Sequence, residues 1–156
     1  MANEINNIVK QFTDLQHGDC WIGINFKEAL HNVNADLAIQ KPALNTNNIW
    51  QLVNHLVYWR TSVTNRLDGS TDLPPFADFL LPELADEAHW RQTLHDFEAA
   101  YHLLRSTIHH FKEESLHKTS VRKDQTNFEL MIGCLQHDAY HLGQIVLLKK
   151  QFSPAV

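Results

Sequence analysis

The segment His137-Asp138-Ala139-Tyr140-His141-Leu142-Gly143-Gln144 sets two imidazoles four residues apart. On a helix, that spacing puts both on one face, one turn above the other, so their ring nitrogens can close on a single ion. The chemistry on offer is coordination of a divalent metal. Spacing alone is a weak signal, because 11 histidines in 156 residues yield about one such pair by chance. A third ligand has to come from elsewhere in the chain.

Helices must position these groups, and the apolar periodicity supplies them. Ile5, Ile8, Val9, Phe12 and Leu15 predict a helix over residues 3–17, stopped by Gly18. Residues 19–46 hold a weaker pattern, with one short helix expected over 26–33 and turns at Pro42, Asn45, Asn47 and Asn48. Ile49, Leu52, Val53, Leu56, Val63 and Leu67 keep one apolar face through 47–67, interrupted by Arg60. Pro74, Pro75 and Pro82 make 71–85 a crossover loop.

Trp90, Leu94, Phe97, Tyr101, Leu104, Ile108 and Phe111 alternate steps of four and three, the seam of a helix packed along near-parallel neighbours. After a polar loop, Thr126 and Glu129 form a capping box that opens a last helix over 127–150, with Lys149 and Lys150 at the negative end of its dipole. Four long helices and no alternating strand pattern predict a single all-α domain, a four-helix bundle with a short extra helix in the first connection.

Facing helices in a bundle stand roughly 8–10 Å apart, so a histidine on the shoulder of one can meet a pair on another. His55, three residues after Leu52 and four before Trp59, lies on such a shoulder. Cys134, one turn before His137, reads as a small buried thiol ahead of a fourth ligand. His95, His102 and His109 also recur on one helix, but at ~10 Å intervals they cannot share an ion and read as a solvated stripe.

The pairing of Asn54-His55-Leu56-Val57-Tyr58-Trp59 with His137-Asp138-Ala139-Tyr140-His141-Leu142-Gly143-Gln144-Ile145, in this order, resembles the DinB superfamily of small metal-binding helical bundles. The resemblance covers nearly the whole chain. It implies an up-down-down-up bundle and a divalent metal held by His55, His137 and His141. It also implies an enzyme on a small-molecule substrate, a low-molecular-weight thiol in some relatives, so transferase or hydrolase chemistry is expected. The alternative is a metal-holding stress or sensor module without turnover.

Imidazole donors suit zinc, nickel, iron or copper; zinc or nickel is expected first, with iron or manganese behind them. No catalytic residue is assigned, but three neighbours are candidates to support the ligands from outside. Gln144 lies on the histidine line and can hydrogen-bond an imidazole. Asp138 occupies the place of the zincin glutamate, one methylene short and without protease features downstream, so a solvated or ligand-supporting carboxylate is the better reading. Tyr140, with Trp59, either lines the cavity mouth or fills core. Arg60 reads as a snorkelling surface residue ahead of a group poised for an anionic substrate.

A net charge of −5 without a basic stripe argues against nucleic acid as a partner. The N-terminus lacks the basic start and apolar run of a signal peptide, no stretch is apolar enough for a membrane span, and two cysteines suit a reducing cytoplasm. A homodimer is expected, through the heptad face of the third long helix or through exposed Trp21, Phe76 and Phe79.

Overall fold

A computed structural model describes residues 3–153. They form six α-helices: α1 Glu4–His17, α2 Phe26–Leu30, α3 Ala35–Ala38, α4 Ile49–Leu67, α5 Glu87–His109 and α6 Asn127–Phe152, with a 3₁₀ turn at Glu113–Ser115. Among the described residues there is no strand, and the isolated bridge Thr119–Thr126 only closes the loop before α6. Among the described residues no helix is long and apolar enough to cross a membrane.

Each α-helix starts where a short polar side chain can accept a hydrogen bond from a first-turn amide. The caps are Asn3, Asn25, Asn34, Asn48, Asp86 and Thr126. Removing such a cap typically costs about 1 kcal/mol. Capping boxes at Asn48–Gln51 and Thr126–Glu129 fix the start of the two helices that carry the paired motifs.

The first connection holds two short helices rather than one. Asn34 opens α3 by accepting from the Leu37 amide, and four residues are too few for an apolar period to announce it. The last helix also runs two residues past the expected end, to Phe152.

Helix α4 packs on α5 and α6, and α1 packs on the same two helices. One apolar cluster gathers Phe26, Trp50, Leu56, Trp90, Phe97 and Leu142; the other gathers Ile8, Phe12, Tyr101, Leu104, Ile108 and Met131. The indole N–H groups of the first are satisfied: Trp50 donates to Thr93 Oγ1 at 2.8 Å and Trp90 to the Val33 carbonyl at 2.7 Å. Burying side chains of this size contributes about 1.5–3 kcal/mol each.

Two expected contact surfaces are not free. The α5 seam of Trp90, Phe97, Tyr101, Leu104 and Ile108 is buried in the core, since a heptad face presented to α4 and α1 is already used. Phe76 and Phe79 are half-buried against α4, where Phe76 meets Tyr58 and Phe79 meets His55. Trp21 is exposed as expected.

Candidate metal centre

On α4, Ile49, Trp50, Leu52, Val53, Leu56 and Val57 turn inward, which carries His55 to the edge of the core facing α6. On α6, Leu130, Cys134, His141, Ile145 and Leu148 are buried along the inward side, and His137 lies at its margin. The fold therefore brings His55, His137 and His141 together, with one ligand atom of each lying within 4.8 Å of the others. His55 and His141 are buried and His137 is partly so.

The outward nitrogens of two rings are tied down. His55 Nδ1 lies 2.6 Å from the Asp78 carboxylate, and His141 Nδ1 lies 2.7 Å from Gln144 Oε1. Both partners are acceptors, so each ring carries its proton on Nδ1 and turns a bare Nε2 inward. Gln144 is itself oriented, its amide donating to the Tyr140 hydroxyl at 3.1 Å. Tyr140 is mostly exposed and touches the site through this amide and through edge contact with the His141 ring.

Burial lowers the pKa of His141 to about 4, against the raising effect of Gln144, while the neighbouring imidazoles lower it further. Burial also lowers that of His55, although Asp78 pulls the other way. The desolvated rings are thus neutral near pH 7, the form that binds a metal.

His137 Nε2 stands 3.0 Å from His55 Nε2. Because the His55 atom is a bare lone pair, a hydrogen bond at this distance requires the proton on His137 Nε2. That leaves His137 Nδ1 as a buried atom without a partner, and so it is found. Two imidazole nitrogens on one tetrahedral zinc stand about 3.3 Å apart, for Zn–N bonds of ~2.0–2.1 Å. The donor set and its spacing fit a divalent ion held by the three histidines.

Asp138 is not solvated: it is 0% exposed, and its Oδ2 accepts from Arg60 Nε at 2.8 Å. Its other oxygen is unpartnered and 3.7 Å from the orphaned His137 Nδ1. Arg60, 1% exposed, does not snorkel. Its Nη2 donates to Gln16 Oε1, Gln16 donates on to Glu98, and its guanidinium lies 4.2 Å from the Phe97 ring centroid. One polar network thereby ties α1, α4, α5 and α6 together beside the site. The apolar face of α4 tolerates Arg60 because α6 supplies the countercharge, and a reading of α4 by itself lacks that partner.

Cys134 is a core thiol outside the three-histidine group, packed in the second apolar cluster, and burial pushes its pKa well above the usual thiol value. Trp59 meets His55 edge-on and His137 at a tilt, at ring distances of 6.2 and 6.0 Å. His95, His102 and His109 are solvated on α5.

The 71–85 loop contributes what the motifs did not. Besides Asp78, it lays Phe79 flat on the His55 ring, with centroids 3.8 Å apart and planes 12° apart. Phe79 has φ +52°, a strained conformation for a bulky residue. Its amide donates to Asp78 Oδ1, while Gln51 and Asn54 of α4 donate to the carbonyls of Phe79 and Leu80. The only trace in the sequence is a carboxylate between aromatics, soon after the helix that carries His55.

A helical protein in which three histidines able to hold a metal ion converge from two long helices is the class that this fold and site define. The chain matches the family model of the DinB superfamily over residues 25–145 and belongs to that superfamily. The matched span includes all three histidines. No curated protein and no solved structure matches the chain.

Proposed function

We propose that this protein binds one divalent metal ion through His55, His137 and His141 and is a metal-dependent enzyme of the thiol-transferase or hydrolase type, acting on a small molecule. The observation that carries the reading is the convergence of three imidazoles, two of them with Nδ1 held by an acceptor and Nε2 bare. Three protein ligands leave a position open, as catalytic sites do and closed four-ligand structural sites do not. Zinc or nickel suits the donors best. The order of the four long helices is taken as the family's up-down-down-up.

The cation, when bound, supplies Lewis acidity that turns water or a thiol into a nucleophile near neutral pH. The chain's own residues prepare the place. Asp78 and Gln144 hold the proton of their imidazoles at Nδ1 and fix the ring planes. Asp138 Oδ1 stands 3.7 Å from His137 Nδ1 without a hydrogen bond to it, and Arg60 holds that carboxylate in place behind the ring. Phe79 and Trp59 cover the His55 ring and keep bulk water off that side.

Protein purified without an affinity tag should carry roughly one ion per chain. A His55→Ala, His137→Ala double variant should carry none; equal metal content in the two discards the site. The loaded protein is then incubated with electrophilic substrates and cellular thiols. Turnover that survives His141→Ala sinks the mechanism. Tight metal without turnover on any substrate makes the protein a non-catalytic metal-holding module.

A further inference from the structure

Helix α4 carries two largely covered arginines, and among the described residues only one has a partner. Arg60 is paired with Asp138. Arg66 is 9% exposed, yet among the described residues it has neither ion pair nor side-chain hydrogen bond. It lines a cavity of about 240 Å³ between α4 and α6, together with Trp59, Val63, Gly133, Cys134 and His137. The cavity therefore runs from an unpaired cation to one of the three site histidines.

We propose that this groove is the substrate's anion-binding arm, in which Arg66 receives a carboxylate or similar anionic group while the reacting end lies at the three histidines. The proposal rests on the metal-site reading for its reactive end only; the Arg66 end stands on its own observations.

Register favours it. Eleven residues separate His55 from Arg66, about 20° past three whole turns, so both lie on one face with Cα atoms ~16 Å apart along α4. Helical side chains lean toward the N-terminus, so the Arg66 guanidinium reaches back toward His55. The span left for a ligand is on the order of 10 Å. Between the two ends stands Trp59, with the Arg66 guanidinium 5.6 Å and the His137 ring 6.0 Å from its ring.

Electrostatics point the same way. Burial and the neighbouring Arg122 both lower the Arg66 pKa, with only Asp124 among nearby carboxylates raising it. Glu129 also lines the cavity, but its carboxylate is engaged in the α6 cap with Thr126. The Trp59 face and the negative end of the α4 dipole offset part of the cost of burying this charge. An anion would supply the charge-assisted hydrogen bonds that no described residue provides. The volume is below the ~300–1,000 Å³ typical of drug-sized ligands, which suits a small acid or one arm of a larger substrate.

The test uses two pairs of probes, hexanoate against 1-hexanol and 6-mercaptohexanoate against 6-mercaptohexan-1-ol, with binding followed through the Arg66 side-chain NMR signal and by calorimetry. The acid of each pair should bind at least about tenfold more tightly than its alcohol, a difference in the range of a charge-assisted hydrogen bond. Arg66→Met should erase the preference and Arg66→Lys restore part of it. Equal binding of acid and alcohol, or a preference that survives Arg66→Met, overturns the proposal. The hexanoate pair is also run on protein stripped of metal, so that a chain that takes up neither zinc nor nickel ends the metal reading while this pair still decides the role of Arg66. If Arg66→Met fails to fold, loss of the preference in Arg66→Gln replaces it.

Discussion

Two sets of three histidines occupy the long helices, and they differ in everything except composition. His95, His102 and His109 follow one another up the solvated side of α5, with carboxylates no nearer than 3.6 Å for His95 and 3.7 Å for His102. His55, His137 and His141 come from two helices, converge within 4.8 Å and are largely removed from water. A heptad repeat on one helix spreads its members by ~10 Å, whereas one residue from a facing helix closes the gap to an i,i+4 pair. Convergence across a helix interface makes a site, and the partners behind the rings hold it in shape. That contrast can be broken at graded points.

The largest effect is expected behind the site, at Asp138. Asp138→Ala leaves Arg60 buried without its countercharge and should cost about 3–5 kcal/mol of stability, read by chemical denaturation. A double variant, Arg60→Met with Asp138→Leu, removes both charges and should recover most of that loss. No exposed histidine of α5 has a comparable dependence. A loss under about 1 kcal/mol in the single variant would mean that the ion pair does not brace α4 against α6.

Next comes Asp78, which reaches His55 from the crossover loop. Asp78→Ala frees the His55 ring to turn and to move its proton, so metal affinity should fall about 10- to 100-fold in chelator competition. The helical frame should be untouched, because the Asp78 side chain is a third exposed and packs at the surface. Unchanged affinity would reduce the buried trio to its three rings, with no outer support on the α4 side.

How much of this was legible follows from which residues carry a period. The four long helices, the Thr126–Glu129 capping box and the His pair all repeat at helical spacing or sit at fixed offsets, and the match of His55 to that pair needed only that two helices face each other; the caps Asn3 and Asp86 precede their helices without such a signal. Asp78 and Phe79 lie in an aperiodic, proline-punctuated loop, where no spacing says which side chain turns inward. Arg60 was misread for a related reason: its burial depends on Asp138, 78 residues later, and a charge on one apolar face does not announce its partner. Asp138 was in turn hidden by its place between two histidines, which drew it toward the metal instead of toward α4.

The smallest effect is expected on the α5 stripe, and pH separates the two sets there. Replacing His95, His102 and His109 together by Ala should shift stability by no more than about 0.5 kcal/mol per site at pH 7 and leave metal content unchanged. In the metal-free protein, His141 titrates near 4 while an unfolded chain's histidine takes its proton near 6.5. As pH falls between those values the unfolded state binds the proton first, so stability must fall, and the loss stops growing below about pH 4. His55, also lowered by burial, adds to the same slope. The stripe variant should therefore keep the acid-side fall in full, whereas His141→Gln should flatten it. A stripe variant that lost the slope would transfer the acid sensitivity from the buried trio to the exposed one and erase the contrast between them.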